Sequence, residues 1–125
     1  MTDSDLFVVD SSGWVEFFGA GPKGLEFAPY LEREDLLVPT VVVYEVLKKL
    51  TRDGGKTEAD RFVSHAFRRV VVPLDRTIAV SAAAVSLDLK LAMADAIIYA
   101  TAQAYHAQLI TADSAFRGLP SVIIP

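Results

Sequence analysis

Short apolar blocks and longer amphipathic stretches alternate along this chain, and the two patterns have different periods. Leu6-Phe7-Val8-Val9 is a continuous apolar run that passes straight into Asp10-Ser11-Ser12. A run this short predicts a strand covered on both faces, as in a parallel sheet. Ser11 or Ser12 then suits the N-cap of a helix over 13–18. On that helix Trp14, Phe17 and Phe18 fall at i, i+3 and i+4, a stripe that reads as core or as one wall of a partner's groove. Residues 19–24 read as a loop, and 25–33 as a short helix limited by Pro29. Residues 36–39 predict a second strand, and Thr40 a cap for a helix to about residue 52, with Val42, Val46 and Leu50 at i, i+4 and i+8. The run 41–44 could pass for a strand, but residues 45–50 favour helix. After Asp53-Gly54-Gly55 comes an amphipathic helix over 56–69, then a third strand at 70–72. Asp75 caps a helix to about residue 87. A small-residue helix spans 94–106 with Asp95 in its first turn. A fourth strand over 109–111 leads to Asp113 in a loop, and 122–124 forms a fifth strand.

Strands alternating with helices, each connection long enough for a crossover, imply a parallel sheet of about five strands in a three-layer α/β/α domain. At 125 residues the whole chain, 1–125, is expected to form one domain. Hydrophobic content of 52% and a mean hydropathy of +0.35 fit a sheet covered on both faces, with some apolar surface left for a partner. Charges interrupt every run before it reaches the ~20 apolar residues of a membrane span. The opening residues, 1–5, are acidic where a signal peptide is basic. Without cysteine there is no disulfide framework and no thiolate metal site, which points to a cytoplasmic protein.

Charge is unevenly distributed. Residues 1–45 carry nine acids against Lys23 and Arg33. Residues 46–76 reverse the balance, with Lys48, Lys49, Arg52, Lys56, Arg61, Arg68, Arg69 and Arg76 against four acids. A basic segment beside an acidic remainder suits a nuclease that grips phosphate with one part and holds cations with another. The same segment also reads as a solvated helix face.

Asp10 and Asp113 follow strands, while Glu45 and Asp95 lie in early helical turns. In a parallel sheet all four reach the carboxyl edge, where open α/β folds place their ligands. Glu45 could instead pair with Lys48 or Lys49 one turn on, and the helix dipole alone favours an acid at Asp95. Nothing nearby in sequence neutralises Asp10, Asp95 or Asp113, so the cluster calls for protons or cations. All-oxygen ligation suits Mg²⁺ or Mn²⁺, and hence metal-assisted phosphodiester hydrolysis with one or two ions. His65 and His106 lack the company that a Ser/His/Asp or zinc site needs, and read as surface or cap residues. There is no Gly-rich phosphate loop, and a receiver domain's acid at the end of the third strand is replaced by Pro73-Leu74.

Taken in order, Val8-Val9-Asp10-Ser11-Ser12, Tyr44-Glu45-Val46, the stretch from Leu91 through Asp95 to Ala102, and Leu109-Ile110-Thr111-Ala112-Asp113 resemble a PIN domain. More narrowly, the pattern is similar to the VapC toxins of toxin–antitoxin pairs. Met93-Ala94 stands before Asp95 where relatives often carry Leu-Pro. The resemblance implies a Mg²⁺- or Mn²⁺-dependent endoribonuclease toxin, a homodimer, inhibited by a VapB-like antitoxin. It makes Asp10, Glu45 and Asp95 metal-binding acids and Asp113 a fourth acid, with Ser11 or Ser12 and Thr111 lining the site. Lys48, Lys49 and Arg52 are then candidate RNA contacts. Two other readings are a non-catalytic PIN-like module whose acids bind a partner's arginines, and a PIN nuclease of RNA processing outside any toxin pair.

Overall fold

A computed structural model describes residues 6–125; the acidic segment 1–5, read above as unlike a signal peptide, lies outside the described residues. Strands β1 (Phe7–Val9), β2 (Leu37–Pro39), β3 (Val70–Val72), β4 (Gln108–Ile110) and β5 (Val122–Ile123) form one sheet in the order β3-β2-β1-β4-β5. Every pairing is parallel, with Val8 of β1 opposite Leu37 on one side and Leu109 on the other. Helices α1 (Ser11–Phe18), α2 (Gly24–Leu31), α3 (Thr40–Asp53), α4 (Lys56–Ala66), α5 (Arg76–Leu89) and α6 (Met93–Ala104) complete the α/β/α arrangement. The chain builds outward from β1 through β2 to β3, then crosses back to β4. That reversal puts the end of β1 at the switch point of the sheet, where the crevice of an open α/β fold lies.

The predicted elements are all present, with shifts at their ends that have local causes. The first helix starts at Ser11 rather than 13, with Asp10 extended at the N-cap. Thr40 is likewise the first residue of α3, and Pro39 takes the cap position. Helix α4 ends at Ala66 rather than 69, because the Val70 N–H is drawn onto the Leu36 carbonyl at 3.1 Å and the chain joins the sheet. Helix α6 opens at Met93 and closes at Ala104 instead of 106; His106 then takes a left-handed φ of 55°. Asp75 caps α5 as expected, accepting from the Ile78 N–H at 2.8 Å. A single 3-10 turn over Ser114–Phe116 forms within the predicted loop.

The aromatic stripe of α1 is core. Trp14 is fully buried, edge-on to Phe62 at 5.2 Å and stacked along Phe18 at 6.1 Å. His65 closes the same cluster, 5.6 Å from the Trp14 ring with Nε2 at 2.7 Å from the Leu31 carbonyl. It is therefore a packed, hydrogen-bonded core-edge residue, not a surface or cap histidine. Gly13 explains how tightly α1 seats. A Cβ there would stand 2.6 Å from Val9 Cγ1 and 2.7 Å from Phe27 Cδ1, so any other residue forces β1 and α2 away. The close approach fixes the start of α1, and with it Ser11 and Ser12.

The high hydropathy is met partly by β1 and β4, whose Val8, Val9, Leu109 and Ile110 are fully buried. Another part stays outside: Val80 and Leu87 on α5 and Met93 on α6 are largely exposed. Among the described residues no single helix is long and apolar enough to cross a membrane; α5 and α6 pass such a test only as a pair bent by 117°.

Candidate active site

Asp10 closes β1. Its N–H completes the ladder to the Ile110 carbonyl at 2.9 Å, so the backbone stays in the sheet while the side chain turns to its edge. There Oδ2 accepts from Thr111 Oγ1 at 2.7 Å and from Ser12 Oγ at 2.8 Å. Those hydroxyls are fixed in turn. Ser12 Oγ accepts from the Ala112 N–H at 3.0 Å, and Thr111 Oγ1 from the Asp113 N–H at 2.9 Å. The ends of β1 and β4 are thus laced together by one polar network, and the carboxylate is aimed by two donors that cannot easily swing away. Asp10 is buried, and burial raises its carboxyl above the ordinary value, while the Thr111 and Ser12 hydrogen bonds pull it back.

Glu45 reaches the same edge from the second turn of α3. Ser11 Oγ donates to its Oε1 at 2.6 Å, tying α1 to α3. Neither Lys48 nor Lys49 forms an ion pair with Glu45 among the described residues, so the alternative of a simple helix-surface pair is overturned. The serines after Asp10 therefore serve the acids: Ser11 holds Glu45, Ser12 holds Asp10, and neither caps α1 through its side chain. Thr111 had been expected to line the site. It is fully buried and meets the site through Asp10, to which its hydroxyl donates.

Asp95 sits half-buried in the first turn of α6, and Asp113 follows β4, where its Oδ1 accepts from the Ala115 N–H at 2.9 Å to start the 3-10 turn. Burial pushes the Asp95 carboxyl up to about 6, with the charges of Asp10, Asp113 and Glu45 adding to the shift. Four acids from four separate elements therefore share one electrostatic environment. They line an open cleft of about 510 Å³ together with Ser11, Ser12, Lys48, Lys49 and Arg52. They share it without closing on a point: among the described residues no three carboxylates stand close enough together to hold an ion as they are arranged.

The basic segment divides in two. Lys48, Lys49 and Arg52 line the cleft from α3. Lys56 and Arg61 are spent on Asp60 and Glu58 along α4, at 2.9 and 3.3 Å, and that half is a solvated helix face. Arg69 donates to the Leu31 carbonyl. Two cleft residues escaped the sequence reading of the site. Glu16 of α1 lines it one turn after Ser12, a spacing that could have signalled it. Tyr44 lines it beside Glu45, where its place in a Val-rich run hid it.

The PIN-domain family model matches residues 7–121, which takes in every element from β1 to the edge of β5. The chain belongs to the PIN-domain family. No curated protein sequence matches it significantly. Among solved structures, this PIN domain is similar to a toxin–antitoxin complex from Klebsiella pneumoniae, with a TM-score of 0.80 and 24% identity over 94% of this chain and 96% of that one. It is also similar to Mycobacterium tuberculosis VapC20, a toxin that cleaves the sarcin–ricin loop, with a TM-score of 0.79 and 17% identity over 95% and 99% of the two chains. A third is VapBC2 from Rickettsia felis, bound to a DNA fragment from its promoter, with a TM-score of 0.73 and 13% identity over 96% and 97%. At these identities the likeness carries the fold alone, that of a PIN domain.

Proposed function

We propose that this PIN domain is a metal-dependent endoribonuclease, the toxin of a type II toxin–antitoxin pair. The observation that carries the reading is the convergence of Asp10, Glu45, Asp95 and Asp113, from four elements, on one open cleft at the switch point of the sheet. The donor set fits Mg²⁺ or Mn²⁺: carboxylates and hydroxyls only, with mutual repulsion that a hard cation would relieve. Asp10, Glu45, Asp95 and Asp113 would hold the ion, which supplies activation of water and charge relief at the leaving oxygen. The chain's own part is orientation. Thr111 and Ser12 aim Asp10, Ser11 restrains Glu45 until a cation competes for it, and Lys48, Lys49 and Arg52 draw the phosphate backbone to the cleft. VapC20 is a toxin that cleaves the sarcin–ricin loop, and the similar Klebsiella pneumoniae structure is a toxin–antitoxin complex. They support a VapB-like antitoxin partner for this chain; a homodimeric toxin and a cytoplasmic site of action belong to the same proposal.

Expression of the chain alone, followed by sequencing of cleaved RNA ends, tests the reading. Growth arrest with defined new ends, absent in Asp10→Ala, is the expected result. No arrest and no cleavage of any RNA would favour the arginine-binding module instead.

The crowded acids also set a stability profile. A carboxyl whose folded value lies above its unfolded value stabilises the native state only while it is protonated. For Asp95, that contribution is complete below about pH 4 and is lost as the pH rises through about 6. The metal-free protein is therefore expected to melt at lower temperature at pH 7 than near pH 5. The lowered carboxyls of Asp35 and Asp53 act in the opposite sense, but only in more acid solution. Millimolar Mg²⁺ or Mn²⁺ should recover the loss at neutral pH, by about 2.7 kcal/mol when the ion is at 100 times its Kd. Melting curves that ignore both pH and metal would count against the cluster.

A further inference from the structure

We infer that Tyr44 and Lys48 form a subsite for one unpaired nucleobase and its adjoining phosphate at the rim of the acidic cleft. The inference rests on the ribonuclease reading and adds to it the form of RNA that is recognised. Tyr44 precedes Glu45 on α3 and lines the same cleft, yet is 62% exposed, a broad aromatic face turned to water beside the acids. One turn on, Lys48 Nζ lies 5.5 Å from the centre of that ring and donates to the Tyr44 hydroxyl at 3.4 Å.

Lys48 differs from the other cleft cations. Lys49 and Arg52 both reach Asp53, at 3.3 and 2.8 Å, and those contacts hold the Asp53 carboxyl down to about 2. Among the described residues Lys48 has no carboxylate partner, and its ammonium stays available to a phosphate. The neighbouring Glu45 is tied back to Ser11, so ring and acid are presented from the same turn of a helix anchored by Val42, Val46 and Leu50.

A tyrosine ring has few torsions to freeze and offers a face on which any base can stack. Stacking needs a base that is already out of a helix, because A-form RNA keeps its bases paired and its major groove closed to side chains. A ring and a cation that pairs with no acid among the described residues, one turn apart, therefore select single-stranded or looped RNA, and they do so without reading sequence. The acid cluster alone could not make that selection, since it meets only phosphate.

The test is fluorescence anisotropy with a short, labelled single-stranded RNA of mixed sequence and the same strand carrying abasic residues. The protein is the full chain in an Asp95→Asn background, with folding checked by circular dichroism. Tyr44→Ala is expected to weaken binding of the intact strand roughly 5- to 100-fold, the range of one lost base stack. Tyr44→Phe, which keeps the ring, should stay near the parent. The difference between parent and Tyr44→Ala should vanish on the abasic strand, whereas Lys48→Ala should weaken both strands and flatten the salt dependence. With Asp95 intact, Tyr44→Ala should raise KM for the same RNA by a similar factor. Unchanged affinity in Tyr44→Ala, or an equal loss on the abasic strand, overturns the subsite. Failure of the ribonuclease reading shows separately, as absence of cleavage by the unaltered protein, and leaves the binding series to be judged by itself.

Discussion

Asp95→Asn is expected to abolish RNA cleavage while leaving the protein folded and, without metal, more stable. The two effects have one cause. Asp95 is forced to share a half-buried space with Asp10, Asp113 and Glu45, and at neutral pH its charge is held there against repulsion and desolvation. An amide removes that charge with almost no change of shape. Because the site is half open to solvent, which screens these charges, removing the charge is worth about 1 kcal/mol of stabilisation. For a domain of this size that is a rise of roughly 3–5 °C in melting temperature. Cleavage should fall by 100- to 1,000-fold or more, on the order of removing one group that stabilises transition-state charge. Purified protein, metal-supplemented cleavage and a melting curve read both effects. Activity that survives would remove Asp95 from the site. Activity lost together with stability would show a folding defect rather than a missing ligand.

Trp14→Ala is expected to be the most damaging single change to the fold, at about 3–5 kcal/mol. Native domains hold only about 5–15 kcal/mol in all, so this variant should be partly unfolded or degraded at growth temperature. The side chain is fully buried and contacts Phe18, Phe62 and His65, which joins α1 to α4. Its loss frees α1, and α1 begins with the two serines that orient Asp10 and Glu45. Trp14→Phe separates packing from polarity. The indole Nε1–H is buried and finds no acceptor among the described residues, so phenylalanine discards an unpaired donor along with part of the ring. It should cost far less than alanine in urea unfolding. If both variants were equally unstable, cavity formation would not be the main cause.

The fold was legible in the sequence because its signals are local. Each strand is a short apolar run, and each helix carries its stripe at helical spacing. Parallel pairing follows from connections long enough for a crossover. Element ends were less legible, because they are set by distant partners: Leu36 draws Val70 into the sheet and so ends α4 early. The role of Ser11 and Ser12 shows the same limit. A serine before a helix looks the same in sequence whether it caps that helix or donates to an acid elsewhere, and Glu45 lies 34 residues away from Ser11.

By itself, then, the sequence determined a parallel α/β domain with two acids just after strands and two in the early turns of helices, and no Cys or His set to compete with them. Those facts depend on residue type and short-range periodicity, which a single chain displays. Only the tertiary structure decided that the four acids share one cleft and that Thr111 is buried with its hydroxyl on Asp10. It also decided that Lys48, of three neighbouring cations, is left without an acid among the described residues. Each of these turns on which side chains meet across β1, β4, α1 and α3. Such meetings are set by packing, as where Gly13 seats against Val9 and Phe27, and packing joins residues that are far apart in the chain.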